Sequence, residues 1–136
     1  MLLDEIAKTS ADVAATPARL AKIARLAECL GHARPEEVGV AVAYLSGELP
    51  QGPIGVGWAA LRDLPQPAPP LPALELLEVD AAVSRVAAIA GPGSQAARRE
   101  ELSGLFARAT EPEQRFLNGL LLGELRQGAL GWLGSG

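Results

Sequence analysis

One short string occurs twice in this sequence, and the repeat is the strongest constraint on the fold. Residues 45–52 read LSGELPQG and residues 121–128 read LLGELRQG, so six of eight positions are identical at an offset of 76. The similarity extends upstream, where ARPEEVGVAVAYLSGEL parallels ATEPEQRFLNGLLLGEL with the proline shifted by one residue. Two repeats are too few for a solenoid. The sequence therefore predicts a pseudo-two-fold domain built from two related helix-loop halves.

A proline-rich segment separates the two copies. Residues 65–73 read PQPAPPLPA, with five prolines in nine positions, which excludes both an α-helix and a central β-strand. We therefore expect an extended linker here, between a first half over residues 1–64 and a second half over residues 74–130. Residues 131–136, which end in GSG, are expected to be a tail or a truncation point.

The spacing of apolar residues predicts that both halves are all-α. Leu, Ala and Val are abundant and aromatic residues make up only 4%, a composition that favours helix over sheet. Helices are expected from Leu2 to about Ala14, from the Thr16–Pro17 cap to Gly31, from Pro35 to about Gly47, over Trp58–Leu64, from Asp80 to Ala90, from the Ser94 cap to Ala109, and from the Thr110 cap to Gly123. The residues expected on inward faces are Leu20, Ile23, Ala27, Leu30, Val38, Val42, Leu45, Val83, Val86, Ala87, Ala90, Leu102, Leu105, Phe106, Ala109, Phe116, Leu117, Leu120 and Leu121.

Charge and rare residue types limit the chemistry of the chain. The net charge is −4, which taken alone argues against a nucleic-acid binder, although ten of the twelve basic residues are Arg, the better residue for bidentate phosphate contact. The single cysteine, Cys29, excludes an internal disulfide, and with the single histidine, His32, it excludes a Cys/His metal cluster. Neither a phosphate-binding P-loop nor a lysine nucleophile motif is present. We expect no catalytic residue and no metal site.

Membrane and export signals are also missing from the sequence. No apolar run reaches 18 residues, and the opening MLLDEIAK carries acids where a signal peptide would carry bases. We therefore expect a cytoplasmic protein with no membrane partner.

Two kinds of glycine-rich segment are candidate ligand contacts. In the repeated GEL-x-QG loops, glycine lets the backbone approach a ligand and present its N–H groups to phosphate; Arg126 adds a guanidinium to the second loop where the first has Pro50. In GPGSQAARR, Ser94 is placed at a predicted helix N-terminus with Arg98 one turn later. Each segment also has a purely structural interpretation as a helix cap or turn. The repetition of Glu, Leu and Gln at fixed offsets favours a function, because a cap requires only the glycine.

On these residues, the chain resembles the N-terminal DNA-binding domain of ATP-dependent DNA ligases, and most closely the bacterial ones. The segment GPGSQAARREELSGLFARATEPEQRFLNGLLLGELRQGAL is similar to the core of that domain, TSADVAATPARLAKIARLAECL to its opening helices, and LSGELPQGPIGVGWAAL to its first Gly loop. The resemblance covers about residues 1–130. It implies an all-helical, pseudo-two-fold domain that grips the minor groove on both sides of a nick through Gly-bounded loops and helix N-termini.

The resemblance also implies particular contacts and partners. By position, the DNA contacts are Gly93, Ser94, Arg98, Gly123, Arg126, Gln127, Gly128 and Ala129, followed by Gly47, Gln51, Gly52, Gly55 and Gly57. The expected partners are nicked double-stranded DNA at the nucleoid and the catalytic domains of a parent ligase. Those domains, with the K-x-D-G lysine that takes AMP, are missing here, so this chain is expected to be no enzyme and to hold no cofactor; ATP and Mg²⁺ belong to the missing domains.

An alternative from another functional class is a helical protein–protein interaction module without DNA binding. The placement of charge distinguishes the two hypotheses. A DNA binder should cluster Arg98, Arg99 and Arg126 with the Gly loops, whereas an interaction module should show an apolar groove there.

Overall fold

The computed structural model describes residues 1–65 and 69–125, apart from the side chain of Trp58. Over these residues the chain forms seven α-helices: α1 (Leu3–Ala15), α2 (Arg19–Gly31), α3 (Pro35–Leu45), α4 (Trp58–Arg62), α5 (Leu76–Ala88), α6 (Ser94–Ala107) and α7 (Glu111–Leu122). No β-strand occurs within the described ranges, which confirms the predicted all-α class. None of the helices in these ranges is long and apolar enough to cross a membrane.

The two predicted halves pack crosswise around one core. Within the halves, α1 packs on α2 and α5 packs on α6; between them, α1 packs on α7 and α3 packs on α5. The first helix of each half thus contacts the third helix of the other. The core is mostly aliphatic, with Tyr44, Phe106 and Phe116 as its buried aromatic residues.

A reciprocal pair of hydrogen bonds joins the starts of α1 and α5. The N–H of Leu3 donates to the carbonyl of Leu74 (2.9 Å), and the N–H of Leu76 donates to the carbonyl of Met1 (2.8 Å). The two bonds form an isolated antiparallel bridge between Leu2 and Glu75. In such a bridge, the two segments contribute equivalent donors and acceptors. This local pattern agrees with two related halves, and the pseudo-two-fold symmetry of the whole domain stays a prediction.

The third helix of each half begins with the same capping arrangement. The N–H of Arg34, before α3, donates to Glu37 Oε1 at 2.9 Å, and the N–H of Thr110, before α7, donates to Glu113 Oε1 at 2.8 Å. Thr110 Oγ1 in turn accepts from the N–H of Glu113, so the predicted Thr110 cap is confirmed. Both glutamates lie in the core, buried at the third position of their helices.

Three predicted helix starts are wrong, each for a local reason. Helix α2 begins at Arg19 after Ala18 rather than at the Thr16–Pro17 cap, because Thr16 ends α1 with its N–H donated to Val13 and its hydroxyl donated to Asp12. Helix α5 begins well before the predicted Asp80 cap, since Glu75 serves as N-cap and its N–H donates to Glu78 Oε1; α5 also stops before Ala90. Helix α6 has Gly93 as its N-cap, so Ser94 is its first helical residue rather than its cap.

The predicted inward faces are correct for α6 and α7 and partly wrong for α2, α3 and α5. Buried as predicted are Leu45, Val83, Val86, Leu102, Leu105, Phe106, Ala109, Phe116, Leu117, Leu120 and Leu121. Exposed against the prediction are Leu20, Ile23, Ala27, Val38, Val42, Ala87 and Ala90, while Leu30 is half-buried. Helices α2 and α3 carry apolar residues on two faces, and the packing buries a face that was not the predicted one. The buried face contains Leu26 and Cys29 on α2 and Ala41 and Tyr44 on α3.

The described part of the predicted linker is neither helix nor strand. Pro65 and residues 69–73 have no regular secondary structure, and residues 66–68 of the linker lie outside the described ranges. The carbonyl of Pro65 accepts a hydrogen bond from Gln114 Nε2 at 3.3 Å. The linker is therefore tied to α7 at its beginning.

A buried ion pair at the start of α3 predicts an acid-sensitive fold. The Met1 ammonium lies 2.7 Å from Glu37 Oε2, and this bond, with those from Arg34, lowers the pKa of Glu37 from 4.5 to about 2. A carboxyl whose pKa is lower in the folded state stabilises the fold above its unfolded pKa, and this contribution is lost as the pH falls through the folded pKa. We expect the unfolding free energy of Glu37→Gln to fall less steeply than that of the wild type between pH 4.5 and about 2, the window set by the two pKa values.

Urea unfolding at pH 7, 4.5 and 3 measures this difference. Glu36→Gln is the matched control, because Glu36 lies in the same helical turn and pairs only with the exposed Arg34 side chain among the described residues. Equal acid slopes for wild type and Glu37→Gln would contradict the assignment.

Candidate nucleic-acid interface

The first copy of the repeated string forms the turn that ends α3. Gly47 has a left-handed backbone (φ 78°). Its N–H donates to the carbonyl of Tyr44 (3.0 Å), and the N–H of Glu48 donates to the carbonyl of Ala43 (2.9 Å). These are the two hydrogen bonds of a Schellman motif, which requires a residue that tolerates positive φ. Gly47 is also buried, so the turn is packed against the rest of the domain.

The second copy forms the same turn at the end of α7. Gly123 has φ 75°, its N–H donates to Leu120 (3.2 Å), and the N–H of Glu124 donates to the carbonyl of Gly119 (2.9 Å). Each donor and acceptor lies 76 positions after its counterpart in the first turn. The repeated string therefore encodes one helix-ending geometry used twice.

Both turns line a single groove of about 450 Å³. The lining residues are Gly47, Glu48, Leu49, Gly52, Pro53, Ile54, Gly55, Val56, Leu120, Leu121, Leu122 and Gly123. The groove thus brings together four of the predicted contact glycines, from loops far apart in sequence. Sequence reasoning missed the aliphatic part of this lining, although the apolar positions within and before each repeat were a signal for it.

Arg98 lies beside the first loop. Its Nη2 donates to the carbonyl of Ile89 at 2.9 Å, and its Nη1 is 3.6 Å from the position that a Cβ would occupy at Gly55. The side chain is half-buried, and its Nε has no hydrogen-bond partner among the described residues. Arg98 therefore ties α6 to the residue that follows α5 and places a positive charge next to a glycine that has φ 70°.

Two helices begin at glycines of the predicted contact set. Gly93 caps α6 with φ 79° and is exposed, and no side chain caps this helix start among the described residues. Ser94, at the first helical position, is half-buried. Gly57 caps α4 in an extended conformation, also without a side-chain hydrogen bond from the N-cap. Uncapped N–H groups and the positive end of the helix dipole suit an anionic ligand at the start of α6.

Gln51 points into the protein. Its Nε2 donates to Asp80 Oδ1 (2.7 Å) and to Ser84 Oγ (2.8 Å) on α5. The amide therefore ties the first loop to the second half. Its predicted role as a contact residue stays a prediction, and the geometry assigns Gln51 the additional task of holding the loop.

The remaining predicted contacts, Arg126, Gln127, Gly128 and Ala129, lie outside the described residues. In the part that is described, each hypothesis has partial support. Aliphatic side chains of Leu49, Ile54, Val56 and Leu122 line the groove together with glycines and Glu48, and Arg98 lies beside Gly55. Arg99 is exposed, and the predicted cluster of three arginines stays a prediction. No cluster of acidic, His or Cys residues within the described ranges could hold a metal ion.

Comparison with known proteins identifies the family. The family described as DNA ligase N terminus matches residues 59–130, more than half of the chain. The chain belongs to this DNA ligase N-terminal family. The match includes α6, α7 and the second Gly loop.

Curated relatives of this ligase family extend the similarity over almost the whole sequence. The chain is 59% identical over 133 residues to a probable DNA ligase of Anaeromyxobacter dehalogenans, and 56% identical over 133 residues to DNA ligase B of Mycobacterium tuberculosis. In both cases the match covers 96% of this chain but only 26% of the relative. The chain therefore spans about a quarter of the length of these ligases. No solved structure gives a significant match.

Glycine substitutions within α3 and in the turn that ends it should have opposite effects, because the backbone conformations of the two glycines differ. Gly47→Ala forces a Cβ into the left-handed region and should cost about 1–2 kcal/mol of unfolding free energy. Gly39→Ala, in the middle of the same helix, should instead stabilise the fold by about 0.5–1 kcal/mol, because a Cβ there meets no atom within 4 Å. Urea unfolding measures both, and a neutral Gly47→Ala would show that the turn relaxes without its left-handed residue.

Proposed function

We propose that this chain is the DNA-binding domain of an ATP-dependent DNA ligase and holds duplex DNA around a nick through minor-groove and phosphate contacts. The observation that supports this most directly is the pair of matching helix-ending turns lining one groove, in a chain of the DNA ligase N-terminal family.

Most contacts to DNA would come from backbone groups of the protein, and only a few would come from charged side chains. The exposed glycines Gly55 and Gly93 and the half-buried Gly52 would allow the DNA backbone to approach closely, and the start of α6 offers N–H groups to a phosphate. Arg98 would supply a charge at the edge of the first loop, and Arg126 a second one in the second loop. Such contacts position a duplex without reading its sequence, as a nick-sealing enzyme requires.

The parent enzyme would supply the chemistry in its other domains. A lysine there would attack ATP in the presence of Mg²⁺, so that the lysine takes AMP and pyrophosphate leaves. The AMP would then pass from the lysine to the 5′-phosphate of the nick, and it would leave that phosphate when the 3′-hydroxyl attacks and closes the phosphodiester bond. This domain would act with those catalytic domains in the cytoplasm, at the nucleoid, during replication, repair or recombination. Its own part would be to keep the nicked duplex in place.

A titration of the chain against nicked and intact duplexes at two salt concentrations tests the proposal. We expect measurable binding that weakens as salt rises, because neutralised phosphates release counterions, and similar affinity for unrelated sequences. The nicked duplex should bind at least as tightly as the intact one. Absence of binding at low salt would reject DNA binding by this chain.

The second candidate function is a protein–protein interaction module, and the apolar lining of the groove favours it. Leu49, Ile54, Val56 and Leu122 would then seat an apolar side chain of a partner. Under this alternative, Leu122→Asp would abolish partner binding while DNA binding stayed undetectable. The titration separates the two functions.

A further inference from the structure

Two side-chain hydrogen bonds from Gln51 join the first Gly loop to α5. Its Nε2 donates to Asp80 Oδ1 at 2.7 Å and to Ser84 Oγ at 2.8 Å. Within the described ranges, every hydrogen bond of the Asp80 carboxyl and of the Ser84 hydroxyl goes to this amide. Neither acceptor is therefore committed to another part of the fold.

The backbone of the first loop makes few hydrogen bonds of its own. The N–H of Gly52 donates to the carbonyl of Leu49 at 2.9 Å, which closes a turn around Gln51. Over residues 54–57, no backbone N–H donates to another backbone group within the described ranges. Because the backbone bonds are so few, the bonds of Gln51 contribute strongly to the shape of the loop.

Other polar ties between helices recur in both halves. Helices α1 and α5 both have 13 residues and begin at the bridge between Leu2 and Glu75, so they correspond at an offset of 73; α2 and α6 correspond at the offset of 76 of the repeated strings. Two side-chain pairs join the first two helices of each half at matching positions. They are Glu5–His32 and Asp12–Arg25 in the first half, and Glu78–Arg108 and Arg85–Glu101 in the second. Such pairs belong to the scaffold that the halves share.

The acceptors of the Gln51 bonds do not recur in this way. The positions of α1 that correspond to Asp80 and Ser84 are occupied by Ala7 and Ala11, whose side chains have no hydrogen-bonding group. A polar acceptor is thus present on α5, where the first loop passes, and missing from the matching positions of α1. This difference indicates a task specific to the first loop rather than a part of the shared scaffold.

We propose that Asp80 and Ser84 are positioning residues for DNA binding. By holding the Gln51 amide, they keep the first Gly loop in the shape that meets the duplex, so that less ordering is required when DNA binds. This role rests on the proposed DNA binding, and it means that Gln51 acts through the loop instead of by touching DNA.

Removal of the Asp80 carboxylate tests this role by the sign of its effect. Asp80→Ala makes the chain one charge less negative, which by itself would favour DNA binding. A positioning role instead predicts a roughly tenfold loss of affinity for duplex DNA, because the loop must then be ordered on binding. The slope of log affinity against log salt should stay unchanged, since no phosphate contact is lost. Asp80→Asn keeps an oxygen acceptor for Gln51 and should bind like the wild type.

Glu111→Ala is the matched control for the change in net charge. Glu111 is exposed, pairs with Arg115, and lies at the opposite end of α7 from the second turn. It should bind DNA as tightly as the wild type or slightly more tightly. Ser84→Ala should cause a smaller loss than Asp80→Ala, because Asp80 still accepts from Gln51.

Exchange of donor and acceptor separates positioning from direct contact. Gln51→Glu places a second carboxylate beside Asp80 and should weaken binding by roughly tenfold or more, because the like charges repel. Gln51→Glu combined with Asp80→Asn leaves the net charge unchanged and lets the Asn amide donate to the new carboxylate. The affinity should then return to within about threefold of the wild type, as coupled positions require. If the Gln51 amide touched DNA, the new carboxylate would weaken binding equally with either residue at position 80.

Urea unfolding at pH 7 shows whether each variant is folded. Affinity equal to or tighter than that of the wild type in Asp80→Ala would overturn the proposal. A folded double variant that fails to regain affinity would overturn it as well. Absence of wild-type binding at low salt would instead reject the proposed function, and the positioning role with it.

Discussion

Phe106→Ala is expected to lower the unfolding free energy by about 3–5 kcal/mol, the usual cost of truncating a buried aromatic ring. Phe106 is 1% exposed and lies in the common core. Loss of its ring would leave a cavity in that core. Urea unfolding of wild type and variant at pH 7 gives the difference directly.

The first half offers the matched control for this prediction. Leu30→Ala removes the side chain at the corresponding position of α2, where the face is only half-buried. We expect a clearly smaller loss of unfolding free energy there, because solvent already reaches the side chain and can fill the space. If the two substitutions cost the same, the Leu30 side chain would be packed as fully as its counterpart Phe106, against the difference in their burial.

Arg126→Ala is expected to weaken DNA binding by about 1–3 kcal/mol, the scale of a charge-assisted hydrogen bond. Arg126 is the basic residue within the second loop, and Pro50 occupies the matching place in the first. The loss should be similar for all DNA sequences, since phosphate contacts carry no base identity. The slope of log affinity against log salt should fall by about one, because one fewer counterion is released.

Loss of one positive charge anywhere in the domain could weaken DNA binding. The control variant therefore removes an arginine that lies outside the Gly loops. Arg115→Ala carries the same change in net charge, and Arg115 is an exposed residue of α7 that pairs with Glu111. It should leave the affinity and the salt slope nearly unchanged. Gly128→Val should weaken binding with a smaller change in salt slope, because it keeps the backbone from the duplex. Unchanged affinity in Arg126→Ala, with binding by wild type, would identify the second loop as a structural turn.

Features set by neighbouring residues could be predicted from the sequence. The Thr110 cap and the glycines that end α3 and α7 were predicted because a cap depends on hydrogen bonds within one helical turn. The all-α class followed in the same way from composition and apolar spacing. The repeat itself indicated two related turns, and their donors and acceptors coincide at the same offset.

Features that depend on distant partners could not be predicted. Val38 and Val42 have the spacing of a buried face, yet they are exposed because α1 and α5 pack on the other side of α3. Glu37 has the sequence of a surface residue, yet it is buried because the Met1 ammonium reaches it from the start of the chain. In the candidate site, the hydrogen bonds from Gln51 to α5 could not be predicted, because the sequence does not show that Asp80 and Ser84 lie beside the first loop.

The sequence by itself determined the helices, the two helix-ending turns and the relationship to DNA ligases, because each depends on the order of nearby residues. Only the tertiary structure decided that the two turns share one groove, that Arg98 lies beside Gly55, and that Val38 is exposed whereas its counterpart Gln114 is buried. The physical reason is that an amphipathic helix specifies which residues can be buried, whereas burial itself requires a partner surface. That partner is supplied by segments far away in the chain.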